Sequence, residues 1–206
     1  MKLEKLVKVD NWFSRSINLE RDSFSIDAIN AYVPTSTSIK TLRSLLASFN
    51  SKKIARSWSL IGPYGSGKSS FGIFLNALLK PSSSKQFELA IDKIAELDSE
   101  LAKDFFKKLN KSEGCLNILL TGSYDGLAKK LFDSIYLGAV DSSLEKKFKN
   151  KLITYHRDHK DNPQSGNVLE IISMLQMCLE DSKHNFKGIT ITIDEQIGRA
   201  SCRERV

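Results

Sequence analysis

The sequence predicts an α/β domain with a mostly parallel sheet, and three observations carry that expectation. Short apolar runs at 57–61 (SWSLI), 115–121 (CLNILLT) and 189–194 (ITITID) have strand character. Helical patterns separate these runs, which is the order that builds a parallel sheet. A glycine-rich turn, GPYGSGKSS at 62–70, joins the first run to a helix.

Taken in order, residues 1–35 read as an N-terminal extension or linker with Trp12, Phe13, Phe24 and Tyr32 as scattered anchors. Pro34-Thr-Ser-Thr-Ser is a turn and helix start. Ile39, Leu42, Leu45, Leu46 and Phe49 then keep a helical period. A second helix follows the glycine turn from Ser69 to Leu79, and Pro81-Ser-Ser-Ser stops it. Phe87, Ile91, Ile94, Leu97, Leu101 and Phe105 recur at steps of three or four, which predicts a long amphipathic helix facing the core. Gly114 ends that pattern before the second strand. Further helices are expected at 125–138, at 143–156 with more charge, and at 168–179, with a loop at 161–167. The span between the first two strands is longer than a crossover needs. Residues 82–112 are therefore expected to be a helical insertion or lid-like hairpin within a domain covering 36–196.

Composition sets bounds. The chain has 206 residues and is 41% hydrophobic, enough for a real core. No apolar run approaches the ~20 residues of a membrane span, and the charged start lacks a signal core, so a cytoplasmic protein without membrane contact is expected. Three cysteines without paired spacing argue against a disulfide framework or a zinc site. A formal charge of +7 makes acidic partners reasonable, although lysines spread along helices usually mark a solvated face.

The glycine turn fits G-x-x-x-x-G-K-[ST] at Gly62, Gly67, Lys68 and Ser69. Glycines let the backbone turn so that successive N–H groups aim at phosphate oxygens. The helix that follows adds its positive end. Gly62, Pro63, Tyr64, Gly65, Ser66, Gly67, Lys68, Ser69 and Ser70 are the expected nucleotide-binding set. Lys68 is expected to reach the β- and γ-phosphates as a catalytic group, and the Ser69 hydroxyl to bind Mg²⁺. The third run ends in Asp194-Glu195. Asp194 is the expected second Mg²⁺ ligand, through water, and Glu195 the carboxylate that polarises the attacking water. Such general-base help is typically worth ~10²–10⁴ in rate.

On these two motifs (a Walker A loop and a Walker B strand end), the chain resembles the P-loop NTPases that carry an additional catalytic glutamate, the ASCE division. Within it the layout is similar to AAA+ and STAND-like ATPases over about 32–195. The resemblance implies a three-layer αβα fold, ATP with Mg²⁺ as the bound species, and hydrolysis coupled to conformational work on a partner, with DNA or a protein as candidates and a homo-oligomer as a possible assembly. It also implies that YVPTSTS, at 32–38, lies beside the adenine. No LSGGQ-like signature precedes Asp194, as an ABC-type ATPase would need, and no N-K-x-D motif marks guanine. ARSWSLIGPYGSGKSSFGIFLNALL also looks like large bacterial ATPases, some from DNA-handling or phage-defence loci.

The last ten residues, IGRASCRERV at 197–206, look like a translated sequencing adapter. They are expected to be non-native, with Gln196 doubtful beside them. Without them the charge is +5, from 28 basic and 23 acidic residues, and Cys115 and Cys178 remain as buried thiols. The chain is then expected to be the N-terminal fragment of a longer ATPase, inactive alone. In the family's sheet order a later strand sits between the first and third strands. Those two are therefore expected to leave a gap or mispair, with apolar surface exposed.

His156 and His159 stand at i, i+3 as a weak metal pair, with surface histidines the better reading. His184 reads as a helix-end residue. RSINLERD at 15–22 is an arginine–acid cluster in which Arg15 or Arg21 could reach a neighbouring nucleotide. Two rival functions stay open: a non-hydrolysing ATP-dependent signalling switch, and a nucleic-acid-binding module in which ATP is incidental.

Overall fold

The computed structural model describes residues 16–51, 53–54, 56–63, 65–122, 126–180 and 185–194. The expectations placed on Trp12, Phe13, Arg15, Tyr64, His184, Glu195, Gln196 and 197–206 lie outside these residues. Among the described residues the fold is mixed α/β, with nine helices and a two-stranded parallel sheet.

Two short helices, α1 (Leu19–Asp22) and α2 (Ile26–Ala31), precede α3 (Ser36–Asn50). Asn18 and Ser25 start them by accepting hydrogen bonds from the Arg21 and Ala28 amides. The expected start of α3 is present as a capping box. The Thr35 hydroxyl accepts from Ser38 N, and the Ser38 hydroxyl accepts from Thr35 N. Residues 16–35 are more than a linker, because Leu19, Ala28 and Ile29 are buried in the same core as α4 (Lys68–Leu78).

The expected long helix over 87–105 is instead two helices, α5 (Lys85–Ala95) and α6 (Ser99–Leu109). Asp98 breaks it. Its carboxylate accepts from Leu101 N at 3.0 Å and so caps α6, leaving Leu97 exposed on the turn. The pair is a hairpin, as one expectation held, but it is built into the core. Phe87, Ala90, Ile94, Leu101, Phe105 and Leu109 are all buried against α4 and its neighbours.

The strands β1 (Leu116–Thr121) and β2 (Ile189–Asp194) pair in parallel, from Leu116 opposite Ile189 to Thr121 opposite Asp194. A parallel pair needs a long crossover, and α7 (Leu127–Val140), α8 (Lys146–His159) and α9 (Ser165–Glu180) supply it. Alternation along β1 divides the core. Leu116 and Ile118 pack with Phe132, Ile135, Leu152 and Ile171 of α7–α9, whereas Cys115 and Leu119 pack with the α1–α6 side. Helices therefore cover both faces of β1.

The expected strand at 57–61 is absent. The segment is open coil, with Trp58 42%, Leu60 46% and Ile61 95% exposed. A strand exists only through a neighbour's N–H and C=O groups, and this run meets none among the described residues. The sheet consequently has two strands where three were expected. Apolar side chains on its far strand stay partly open as well, Ile191 at 38% and Ile193 at 44%. No described helix is long and apolar enough to cross a membrane.

Gly114 does more than end a pattern. Its φ is +70°, and a Cβ there would stand 2.3 Å from the Leu79 carbonyl oxygen. The close approach is used: Cys115 N donates to Leu79 O and Lys187 N to Gly114 O, each at 2.7 Å. The end of α4 and the starts of both strands are thus held together at one glycine.

Candidate nucleotide site

The glycine turn is built as a concave loop ending on a helix. Gly65 and Gly67 have φ of +77° and +81°, values that glycine adopts without the penalty of a side chain. Gly67 is the N-cap of α4 and brings no side-chain cap to its first turn. The orphan N–H groups of that turn therefore remain available to an anion. Ser66 N donates to Pro63 O at 3.3 Å and closes the bend.

Lys68 is folded back over this loop. Its Nζ donates to the carbonyl oxygens of Gly62 and Pro63, both at 2.8 Å, and lies 3.4 Å from Ser66 Oγ. The ammonium is thereby parked on weak neutral acceptors at the mouth of the loop. Phosphate oxygens would be stronger acceptors than carbonyls, because both partners are then ionised. The donor set present (a cation, a left-handed glycine turn and an uncapped helix start) suits a polyphosphate.

A cavity of about 660 Å³ opens directly from the loop. Its size is within the range of small-molecule sites. It is lined by Gly62, Pro63, Ser66, Gly67, Lys68, Ser70 and Phe71 and by a wall of Ile17, Ala28, Ala31, Tyr32, Val33, Thr35, Ser38 and Thr41. This wall is apolar toward α2 and hydroxylated toward α3. Tyr32 is fixed by its ring contact with Phe74, 4.5 Å between centroids. Burial pushes the Tyr32 phenol up, against a smaller downward pull from Ser38. Residues of YVPTSTS thus border the same cavity as the glycine loop. Ile17, Thr41 and Phe71 were not singled out in the sequence. Ile17 and Phe71 are ordinary core apolars by pattern, and Thr41 is one hydroxyl among many.

Two contacts show how α4 runs against the sheet. Gly72 approaches the Thr192 methyl, which would lie 3.7 Å from a Cβ at that glycine. One turn on, Asn76 O accepts from Asn117 Nδ2, and Asn117 is opposite Thr190. Rising residue numbers in α4 therefore meet falling numbers in β2, so the two are antiparallel. The steps agree: four helical residues rise about 6 Å and two strand residues about 6.6 Å. Going the other way, Ser69 at the head of α4 and Asp194 at the end of β2 come to the same end of the structure. The acidic end is further organised by Glu20, whose carboxylate accepts from Thr121 N at 2.8 Å and pairs with Lys130 at 2.9 Å. Ser69 and Asp194 each bring a side-chain oxygen to that end; among the described residues no cluster of three or more metal-type side chains exists. Two protein ligands suit Mg²⁺, which keeps waters and takes substrate phosphate oxygens as the remainder. Glu195 and Tyr64 lie outside the described residues.

The lesser candidates resolve differently. Arg21 is held by its neighbour Asp22 at 3.0 and 2.8 Å and by Ser16 O at 2.8 Å, so it is engaged locally. His156 is not a surface histidine. Its ring is stacked 3.9 Å from Tyr136 and 5.1 Å from Phe132, and Nε2 meets Asp133 at 2.7 Å. His159 turns back to the Tyr155 carbonyl. The two histidines do not converge on a metal. Burial raises the Cys115 thiol to about 12, so it is an inert core group.

No known protein family, curated protein or solved structure matches this chain.

Proposed function

We propose that the chain is the nucleotide-binding part of an ASCE-type P-loop ATPase, and that it binds ATP with Mg²⁺ on the Gly62–Ser70 loop. The observation that carries this reading is the Lys68 ammonium held over a left-handed glycine loop, at the head of an uncapped helix, beside a cavity of about 660 Å³. Lys68 leaves its two carbonyls and neutralises the β- and γ-phosphates. The α4 first-turn amides receive phosphate oxygens. The apolar Ala28–Val33 wall takes the base, and Thr35, Ser38 and Thr41 offer hydroxyls to the sugar or base edge.

Ser69 and Asp194 are the residues that would hold Mg²⁺, which supplies charge neutralisation on the phosphates. Glu195 would orient and deprotonate the attacking water, and in-line attack on the γ-phosphorus follows the general phosphoryl-transfer pattern. Under this reading the finer architecture is the three-layer αβα fold of that class.

Binding and turnover separate the enzyme from a non-hydrolysing switch. Lys68→Ala should abolish saturable MgATP binding. Glu195→Gln should keep binding and, in a hydrolysing form of the protein, lower turnover by ~10²–10⁴. Retained turnover in Glu195→Gln would remove the assigned base.

A further inference from the structure

The chain's positive charge is concentrated on one helix face. The α8 sequence, KKFKNKLITYHRDH, holds four lysines, one arginine and one aspartate, a net +4 of the chain's +7. Its apolar side is committed, because Leu152 is fully buried and Phe148 and Tyr155 pack on α7 and α9. The opposite side is exposed: Lys146, Lys147, Asn150, Lys151, Thr154 and Arg157 all face solvent. At 100° per residue these six occupy one sector of the helix, and the exposed Asp158 is the one acid of α8 within it, against four cations. Among the described residues Lys146, Lys147 and Lys151 form no ion pair, and Arg157 has only a contact with Asp158 at 3.4 Å. The adjoining groove between α8 and α7 is mixed in charge, with Lys129 and Lys160 beside Asp133 and Asp161, so the cationic surface is that of α8 itself.

We infer that this face of α8 is a docking surface for the sugar-phosphate backbone of a nucleic-acid duplex. Charge complementarity selects the partner. A helix of 14 residues is about 21 Å long, and a duplex places one phosphate charge per ~1.7 Å of axis. Several phosphates therefore come within reach of the four exposed cations, Lys146, Lys147, Lys151 and Arg157. Asn150 and Thr154, between them, are residue types that donate to phosphate oxygens and fix register. A membrane surface fits less well, since an interfacial helix must offer an apolar face and that of α8 is spent on the core. An acidic protein fits less well too, because the sector lacks the aromatic anchors that centre protein interfaces. Nothing in this inference depends on nucleotide binding at the glycine loop.

The test uses the full chain and a 20-base-pair duplex of arbitrary sequence, with binding followed by fluorescence anisotropy from low to moderate salt. The wild type should bind with a steep fall of log K against log salt. Lys146→Gln/Lys147→Gln/Lys151→Gln should bind more weakly, with a slope shallower by about 2.7, three phosphate contacts at about 0.9 each. A control, Lys85→Gln/Lys103→Gln/Lys107→Gln, removes equal charge from exposed positions on α5 and α6 and should leave both quantities unchanged. Far-UV dichroism and melting confirm that each variant is folded. Absence of duplex binding by the wild type would overturn the inference. So would equal weakening by both triple variants, or tighter binding to phosphatidylserine vesicles than to the duplex.

Discussion

At Gly114 a single missing carbon decides whether three elements can meet. Gly114→Ala places a Cβ against the backbone at Leu79 and Lys80 in a left-handed conformation. We expect a loss of about 2–3 kcal/mol, or roughly 4–12 °C in melting temperature for a chain of this length. Gly166→Ala, where a Cβ meets open space, should be neutral within about 0.5 kcal/mol; urea unfolding of both measures the contrast. Lys80 gives a second residue-scale expectation. Burial lowers its ammonium to about 8 from 10.5, while Gln86 and the Phe24 ring still contact the head group. Folding therefore releases the proton more readily than the unfolded chain does. Below pH 8 both states are protonated and the cost of burying the charge is present in full. Between about 8 and 10.5 the unfolded state binds more protons, so stability rises with pH. Lys80→Met should remove that rise, so the wild-type denaturant midpoint should climb relative to the variant's from pH 8 to 10.5. The loop glycines and Lys68 were legible at this scale because their chemistry is local. His156 was not: its partners Asp133 and Tyr136 are more than 19 residues away, and one sequence shows no such pairing.

Helices were read from the sequence more directly than strand pairing, for a physical reason, although α1 and α2 were missed and 87–105 was read as one helix. Their hydrogen bonds and caps lie within four residues, so the Thr35 start and the apolar stripe of α3 are visible directly. The break at Asp98 is also local, but the stripe from Phe87 to Phe105 runs through it without a change of period and hides it. Strands depend on partners elsewhere. CLNILLT and ITITID pair with each other, whereas SWSLI, with equal strand character, pairs with neither and remains coil. The capping box offers the element-scale prediction. Thr35→Ala removes the acceptor for Ser38 N and should cost about 1 kcal/mol. Because Thr35 also lines the cavity, the same change should weaken nucleotide binding in addition, as titration at a temperature well below melting would show.

On the scale of the molecule, a sheet of two strands supports a core much larger than itself. Helices bury β1 from both sides, and the phosphate-type loop is placed where α4 meets the C-terminal ends of the strands. The open segment 56–63 and the half-covered Ile191 and Ile193 mark where this arrangement could accept another strand. The measurement that bears most directly on the central claim is calorimetric titration of MgATP into wild-type and Lys68→Ala protein, with matched melting curves showing both folded. Saturable binding by the wild type that is lost in Lys68→Ala is the predicted result. Equal binding by both proteins, or none by a folded wild type, would contradict a nucleotide site on the Gly62–Ser70 loop.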